Sequence, residues 1–428
     1  VDLSDNANRH LGRILELQAR DNGDTEFLIT DDQRITYAQA HDTSNRLAGS
    51  FADLGIGKGD RVSFFMANAP ELVLMCLALN KLGAIWVPVC TDYRGEWLQD
   101  ARVRSRADIR VTDAAHIGHL EPMLDDLNHR QLVVCEKSEA NRLGAMHYAL
   151  LADHEPYGAD YSKLDYGDTC AILWTSGTTG KSKGVMVAHN NWIRSTINGT
   201  LRQYTLQPGD IIYCAMPLYN AGAWLTCVIR ALIKGVGVVI EKKFSVSTFM
   251  DRVKQFNATQ TFAVGSMGVF LMSAPEREDD ADNPLREALI VPMPPAMWEA
   301  FEKRYGVQLI RSGLGMSECL LTLNHEFSDV DAPIYPDDRF GTGVTLALLD
   351  QLELSQGVMV VHSSIPDRRT GQRNQRRISD PAEIRKLADA FRLNSNPRRG
   401  FLLPVASEST PAKGSIGAKP PAGNEPPQ

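Results

Sequence analysis

Short apolar segments alternate with amphipathic stretches along most of this 428-residue chain. That alternation is typical of α/β layers built on largely parallel sheets. A chain of this length also exceeds what one hydrophobic core supports, so packed α/β subdomains are expected. A first series of the pattern predicts a hairpin at residues 27–30 and 34–37, helices at 38–54 and 70–82, and strands at 61–66 and 84–89. A second series predicts strands at 169–174, 210–216, 236–241 and 260–264, and helices at 191–199, 222–233 and 247–256.

Composition excludes several classes of protein. The formal net charge of −7 argues against general nucleic-acid binding, which needs a basic surface. The seven cysteines have no CxxC pair and no metal-ligand spacing to a histidine, so reduced thiols are expected. The longest apolar run, residues 72–79, falls well short of the roughly 20 residues that a bilayer requires, and residues 1–20 are too charged for a signal peptide. We therefore expect no transmembrane segment and, by default, a cytoplasmic location.

Two regions depart from the α/β pattern. The acidic run at residues 274–284 (APEREDDADNP) predicts a surface loop or a short linker without identifiable chemistry. Residues 367–428 hold twelve Lys or Arg against six Asp or Glu, together with eight of the 22 prolines. Only residues 380–393 look helical in that region, so residues 346–428 are expected to form a divergent, mostly unstructured tail.

A loop rich in hydroxyl groups and glycine follows the strand predicted at 169–174. Residues 173–184 read LWTSGTTGKSKG. Glycines let the backbone turn tightly and aim N–H groups at an anion, hydroxyls add donors, and lysines supply positive charge, so the loop predicts a polyphosphate site. A Walker loop has four residues between its glycines, but counting back from Gly180 reaches Thr175, so this chain lacks that motif.

The longer segment TSGTTGKSKGVMVAHNN, residues 175–191, resembles the signature of the adenylate-forming superfamily, which includes acyl-CoA synthetases, luciferases and peptide-synthetase adenylation domains. Upstream, residues 57–62 (GKGDRV) and 79–88 (LNKLGAIWVP) resemble the family's amino-terminal subdomain. Downstream, residues 216–219 (MPLY) and 313–318 (GLGMSE) resemble its acyl-pocket segment and its Tyr-Gly-Met-Thr-Glu motif. The resemblance implies that residues 1–345 form an adenylate-forming domain of two α/β subdomains with a partial β-barrel.

In this family a substrate carboxylate attacks the α-phosphorus of ATP, giving an acyl-adenylate and pyrophosphate, and CoA normally then accepts the acyl group as a thioester. The resemblance therefore implies ATP, Mg²⁺ and CoA, with Thr175, Lys183 and Glu318 as catalytic residues. Glu318 matches the position that holds Mg²⁺, a hard cation that prefers oxygen ligands, and Thr175 is a second candidate ligand. The residues implied to bind the nucleotide are Thr175, Ser176, Gly177, Thr178, Thr179, Gly180, Lys183, Gly313, Leu314, Gly315, Met316 and Ser317.

Three positions differ from the family pattern or carry no clear role. Leu314 stands where an aromatic residue usually stacks on adenine, so that stacking contribution is expected to be lost. Asn220 stands where many members carry histidine after the Pro-Leu-aromatic segment, which indicates altered specificity or loss of function. His189 matches a residue that packs the exit of the loop, and a plain histidine at a helix start explains it equally well.

Residues 263–272 (AVGSMGVFLM), with the segment that follows residue 282, are similar to the crotonobetaine/carnitine-CoA ligase-like group. The substrate so implied is a short or medium carboxylic acid. An apolar stretch of this kind is as readily plain core as pocket wall. The residues implied to line the acid pocket are Tyr219, Asn220, Ala221, Trp224, Val264, Gly265 and Gly313.

After residues 338–343 (DRFGTG) the family continues with a small β-barrel, an Arg-Thr-Gly-Asp motif, a hinge and a lid domain that carries the adenylation lysine. Residues 369–371 read Arg-Thr-Gly, but Gln372 replaces the aspartate and no strand pattern flanks the segment. Residues 411–414 (PAKG) are a poor match to the lysine segment of the lid. We expect a truncation or a frameshift near residues 345–365, which would impair activity.

Three interpretations stay open at this point. The chain could be an acyl-CoA synthetase core, a catalytically impaired ATP- or acyl-binding remnant, or an adenylation module that serves a carrier protein. The expected partners are a small carboxylic acid, ATP and CoA. The oligomeric state is open, with a homodimer as one candidate.

Overall fold

A computed structural model describes residues 1–124, 131–175, 182–197, 206–291, 295–307, 309–316, 320–326, 359–362 and 375–378. The helices are α1 (Leu11–Asp21), α2 (Tyr37–Asp53), α3 (Pro70–Leu82), α4 (Gly95–Ser105), α5 (Ile117–Leu120), α6 (Lys137–Leu143), α7 (Tyr148–Ala152), α8 (His189–Thr196), α9 (Ala221–Ala223), α10 (Ile229–Lys234), α11 (Phe249–Gln255), α12 (Gly265–Ser273) and α13 (Trp298–Tyr305). Short 3₁₀ helices lie at Asn6–Asn8, Glu121–Met123, Tyr161–Lys163 and Pro295–Met297, and a π-helix at Trp224–Val228.

One sheet has seven strands in the order β7-β6-β5-β3-β4-β8-β9. Its neighbouring strands run parallel except for the antiparallel β8–β9 pair at one edge. The strands are β3 (Arg61–Phe65), β4 (Ile85–Pro88), β5 (Ile109–Thr112), β6 (Gln131–Val134), β7 (Met146–His147), β8 (Thr169–Thr175) and β9 (Lys183–Ala188).

The other large sheet has eight strands in the order β15-β14-β13-β12-β10-β11-β1-β2. It is parallel in the middle and antiparallel at both edges, where β1 pairs with β2 and β14 with β15. The strands are β1 (Glu26–Ile29), β2 (Arg34–Thr36), β10 (Ile211–Cys214), β11 (Gly237–Ile240), β12 (Gln260–Val264), β13 (Glu287–Val291), β14 (Leu309–Met316) and β15 (Leu320–Glu326).

The predicted α/β architecture of two subdomains is confirmed. Local signals explain where several elements begin and end. Helix α2 begins with a capping box in which Thr36 and Gln39 satisfy each other's backbone N–H groups. Helix α3 has proline in its first turn and ends at Gly83, whose φ of 71° suits glycine. The apolar run at 72–79 is buried within α3, as expected of a core helix, and among the described residues no helix is long and apolar enough to cross a membrane.

The hydrophobic core joins the two sheets in one cluster, which includes Leu28, Val62 and Val238. Within it Trp86 of β4 contacts two helical tryptophans, with ring centroids 4.4 Å from Trp224 and 6.1 Å from Trp192. Offset contacts between large aromatic rings add to the free energy gained from burying their area. These tryptophan contacts therefore form part of the interface between the two subdomains.

Two sequence predictions need correction here. The helix expected at 222–233 is interrupted by π-helical turns at Trp224–Val228. Within that stretch the Thr226 hydroxyl donates to the Gly222 carbonyl at 2.5 Å and so competes with the regular backbone ladder. The acidic run at 274–284 is not simply a surface loop, because Asp280 is buried and its carboxylate accepts a hydrogen bond from Arg304 of α13 at 2.7 Å.

A third correction concerns the tail. Strands β16 (Met359–His362) and β17 (Gln375–Ile378) pair antiparallel, on either side of the Arg-Thr-Gly sequence at 369–371. The expectation that no strands flank that sequence was wrong. Strands β16 (MVVH) and β17 (QRRI) have four residues each, which is too short for a clear alternation of apolar and polar residues. The helix expected at 380–393 lies outside the described residues.

Candidate active site

The hairpin of β8 and β9 carries the predicted phosphate loop. Cα partners across its open end are Thr175 and Lys183, so the first and last predicted catalytic residues of the loop face each other. The side chain of Lys183 is exposed. The predicted binding residues between them, Ser176, Gly177, Thr178, Thr179 and Gly180, lie outside the described residues. The structure therefore describes the two arms of the hairpin at the base of the loop.

The carboxyl ends of parallel strands in the eight-stranded sheet bring together the other predicted segments. The segment Met216-Pro217-Leu218-Tyr219 follows β10. Val264 ends β12 and Gly265 begins α12. The end of β14 is formed by Gly313, Leu314, Gly315 and Met316. In open α/β sheets, ligands bind at this edge. Ser317 and Glu318 fall between β14 and β15, outside the described residues. Strand β15 contacts α8, the helix that follows the β8–β9 hairpin, so the two motif-bearing hairpins are linked through one helix.

Asn68 fixes the segment that leads to the predicted acid pocket. Its side-chain amide donates to the carbonyl oxygens of Met216 (2.8 Å) and Glu241 (2.9 Å), and its Oδ1 accepts the backbone N–H of Leu218 (2.7 Å). Asn68 follows β3 in one sheet, whereas its partners follow β10 and β11 in the other. This buried side chain therefore ties the two subdomains together beside the candidate site.

Comparison with known proteins decides the family. Residues 15–358 match the family model described as AMP-binding enzyme. The chain belongs to the AMP-binding enzyme family. It is 31% identical over 295 residues to a crotonobetaine/carnitine–CoA ligase of Salmonella typhi, with 68% of this chain and 56% of that protein covered. The chain thus spans about half the length of the curated relatives it matches.

Solved structures confirm the fold. A benzoate CoA ligase from Burkholderia xenovorans is similar with a TM-score of 0.67 at 17% identity, over 74% of this chain and 63% of that chain. The N-terminal domain of FACL13 from Mycobacterium tuberculosis, in an inhibitor-bound crystal structure, is similar with a TM-score of 0.60 at 24% identity, over 72% of this chain and 76% of that chain. The predicted adenylate-forming family and its α/β fold are therefore both confirmed.

The predicted acid-pocket residues of this AMP-binding enzyme lie in different environments. Tyr219 is half-buried, and its hydroxyl donates to Asp92 at 3.3 Å; burial raises the pKa of the phenol. Asn220 caps α9, where its Oδ1 accepts the Gly222 N–H at 2.8 Å. Trp224 is 1% exposed, and its indole N–H donates to the Leu218 carbonyl at 2.7 Å. Trp224 thus belongs to the core, the alternative that the sequence left open.

Ala221 and Val264 are half-buried and Gly265 is buried. Gly222, which was not predicted, lies against the ring of Phe262, where an added Cβ would come within 2.7 Å of a ring carbon. No signal in the neighbouring residues marks this position, because Phe262 lies in β12, far along the chain from Gly222. The segment after β10 that contains Gly222 is therefore tightly packed against β12.

His189 packs the exit of the phosphate-loop hairpin. It is the first residue of α8 and is buried, and its Nδ1 accepts the Leu11 N–H at 3.3 Å. Its ring centroid lies 3.6 Å from that of His10, which is also buried. Burial lowers the pKa of His189 well below its usual value and that of His10 to about 3, so both rings are neutral. These contacts favour the packing role over a plain helix start.

The predicted Mg²⁺ ligands are Glu318 and Thr175. Among the described residues, no three His, Cys, Asp or Glu side chains are grouped so that they could hold a metal ion. Glu318 comes shortly after β14 in the sequence and lies outside the described residues. A carboxylate there fits Mg²⁺, since this ion usually takes one or two protein carboxylates together with phosphate oxygens.

A separate cavity of about 390 Å³ opens at the carboxyl ends of β3, β5 and β6. Its charged lining residues are Glu71, Asp113, Glu136 and Lys242. Asn68 lines it as well, but none of the predicted catalytic, nucleotide-binding or acid-binding residues does. This cavity is distinct from the predicted acid pocket.

Proposed function

We propose that this AMP-binding enzyme activates a carboxylic acid with ATP, as the adenylate-forming part of an acyl-CoA synthetase. The observation that carries the proposal is the β8–β9 hairpin, which sets Thr175 opposite Lys183 at the base of a loop rich in glycine and hydroxyl groups. Main-chain N–H groups, hydroxyls and lysine are the donors that a polyphosphate requires. Two of the proteins compared above are named as CoA ligases, the crotonobetaine/carnitine–CoA ligase and the benzoate CoA ligase, and these names support the same reaction class.

In the proposed reaction a carboxylate oxygen bonds to the α-phosphorus of ATP while the bond from that phosphorus to the pyrophosphate oxygen breaks. Negative charge grows on the leaving pyrophosphate, so fixed positive charge and N–H donors lower the barrier. We assign Lys183 and Thr175 to the β- and γ-phosphates and Ser317 to the α-phosphate. Glu318, with Thr175 as a second candidate, would hold Mg²⁺, which neutralises phosphate charge when bound. Thioester formation then exchanges AMP for the sulfur of CoA.

We propose a short or medium carboxylic acid as the substrate, on the likeness to crotonobetaine/carnitine–CoA ligases. Tyr219, Asn220, Ala221 and Gly265 are the proposed pocket residues. We leave Trp224 out of the contacting set, because its indole is enclosed in the core. A cytoplasmic location and a homodimer are further proposals; cell fractionation and light scattering of the purified chain would test them.

The test is carboxylate-dependent ATP–pyrophosphate exchange with Mg²⁺, across short-chain, medium-chain and betaine-type acids. We expect exchange with one class, and Lys183→Ala should lower it about tenfold to hundredfold, since a charge-assisted contact contributes about 1.5–3 kcal/mol. Lys163→Ala is the matched control, because Lys163 is 79% exposed and paired only on the surface with Asp160. ATP binding without exchange would indicate a binding remnant, and acyl transfer to a phosphopantetheinyl protein but not to CoA would indicate a carrier-protein module.

A further inference from the structure

Helix α4 and the turn before it lie against the base of the phosphate-loop hairpin. The hydroxyl of Tyr93 is 2.7 Å from the hydroxyl of Ser182, the residue just before β9. Ser182 is only 4% exposed, so this hydrogen bond is largely protected from water. The start of the second arm of the hairpin is therefore hydrogen-bonded to the turn before α4.

Arg104 of α4 makes a second contact with the same residue. Its Nη1 donates to the Ser182 carbonyl oxygen at 2.5 Å and to Asp100 at 3.0 Å. The guanidinium carbon also lies 5.4 Å from the ring centroid of Trp174, in the first arm of the hairpin. Trp174 is the Cα partner of Gly184 across the hairpin, so Arg104 touches both arms at their open end.

Arginine suits this position for a physical reason. A planar guanidinium can stack on an indole ring while its N–H groups donate in the plane, and an ammonium cannot do both. The Tyr93 ring lies near Trp97 (centroids 6.1 Å apart), so the phenol is held on one side by packing and on the other by Ser182. Tyr93 therefore binds the hydroxyl of Ser182, and Arg104 binds its carbonyl oxygen.

We propose that Tyr93 and Arg104 are positioning residues that fix Ser182, and through it Lys183, where a bound polyphosphate requires them. The inference rests on the proposed function, because it assigns these contacts to ATP affinity. Neither residue touches the nucleotide. Small displacements of groups that bind a ligand weaken that ligand disproportionately, so loss of either contact lowers affinity for the β- and γ-phosphates and not for the rest of the nucleotide.

The experiment measures dissociation constants for Mg-ATP and for AMP by calorimetry, on the full chain and on Tyr93→Phe, Arg104→Ala and Arg104→Lys. Each substitution should weaken ATP binding about fivefold to thirtyfold, the effect of one or two lost hydrogen bonds. AMP, which lacks the β- and γ-phosphates, should bind all proteins equally. Arg142→Ala is the control, since Arg142 pairs on the surface with Glu121 and Glu139. It lies in α6, between β6 and β7, at the edge of the seven-stranded sheet opposite the hairpin.

The outcomes separate cleanly. Unchanged ATP binding by Tyr93→Phe and Arg104→Ala would overturn the inference and leave the proposed function standing. Equal weakening of ATP and AMP would also overturn it, because that is the signature of a general structural defect. No ATP binding by the unmodified chain would overturn both. Tyr93→Phe removes a single oxygen atom, so it keeps the inference testable even if Arg104→Ala fails to fold.

Discussion

Replacement of Asn68 by alanine should strongly destabilise the contact between the two subdomains. The side chain makes three hydrogen bonds, to the carbonyls of Met216 and Glu241 and from the N–H of Leu218, at 2.7–2.9 Å. Asn68 is 7% exposed, so water would replace these partners poorly. Asn68→Ala would leave two carbonyls and one N–H without their partner.

Each buried main-chain group that loses its hydrogen bond costs about 1–3 kcal/mol. The cavity that Asn68 lines gives water some access to the carbonyls, so we expect a total loss of about 2–5 kcal/mol. That is a large share of the roughly 5–15 kcal/mol by which proteins are stable. Asn68→Asp should be destabilising at pH 8, where a carboxylate oxygen would face two carbonyls, and less so at pH 5, where more of the acid is protonated and able to donate.

The assay is urea unfolding at 25 °C followed by tryptophan fluorescence and far-UV circular dichroism. Coincident transitions from the two probes would license a free energy of unfolding. Asn8→Ala is the control, because the half-buried Asn8 side chain makes one solvent-exposed hydrogen bond, to the Asp2 carbonyl. A loss below about 1 kcal/mol for Asn68→Ala, or equal stability of Asn68→Asp and wild type at pH 8, would refute the reasoning about unsatisfied main-chain groups.

Three further predictions follow from buried groups. Burial lowers the pKa of both His10 and His189, so below pH 6.5 the unfolded chain binds more protons than the folded chain. The free energy of unfolding should therefore fall by about 1.4 kcal/mol per pH unit per histidine as the pH drops. In His189→Asn the urea midpoint should depend less steeply on pH, and an unchanged slope would contradict this. Burial lowers the pKa of Lys81 to about 7, so the free energy of unfolding should rise with pH between about 7 and the pKa of the side chain in the unfolded chain. Lys81→Met should abolish that rise between pH 7 and 9. An equal rise in the variant would show that Lys81 is not its cause. Trp224→Phe should lower the free energy of unfolding by about 1–3 kcal/mol through loss of the bond to the Leu218 carbonyl, with acid preference unchanged; altered preference at wild-type stability would instead place the indole in the acid pocket.

The local sequence predicted much of the fold. Helix α3 and strand β12 have the predicted bounds, and the hairpin of β1 and β2 pairs antiparallel as expected. These elements carry their own signals: proline at a helix start, glycine at its end, and apolar runs of strand length. The order of strands in the two sheets was not predicted, because hydrophobic periodicity says which residues are buried and not which strand lies beside which.

The candidate site, too, was only partly predictable from the sequence. The hydroxyl- and glycine-rich loop and its family resemblance could be read from consecutive residues. The roles of Asn68, Tyr93 and Arg104 could not, because each side chain meets a partner at least 78 residues away. Nothing in the residues around Arg104 distinguishes it from an ordinary exposed helix arginine.

The sequence by itself determined the family, the α/β class and the position of the loop rich in glycine and hydroxyl groups, because these depend on local spacing, turn chemistry and residue type. Only the tertiary structure decided that Trp224 is core, that Asn220 is a helix cap and that His189 is a buried neutral packing residue. The physical reason is that burial and hydrogen bonding depend on neighbours brought together from distant parts of the chain. A side chain's type says what it is able to do, and its surroundings select which of those roles it takes.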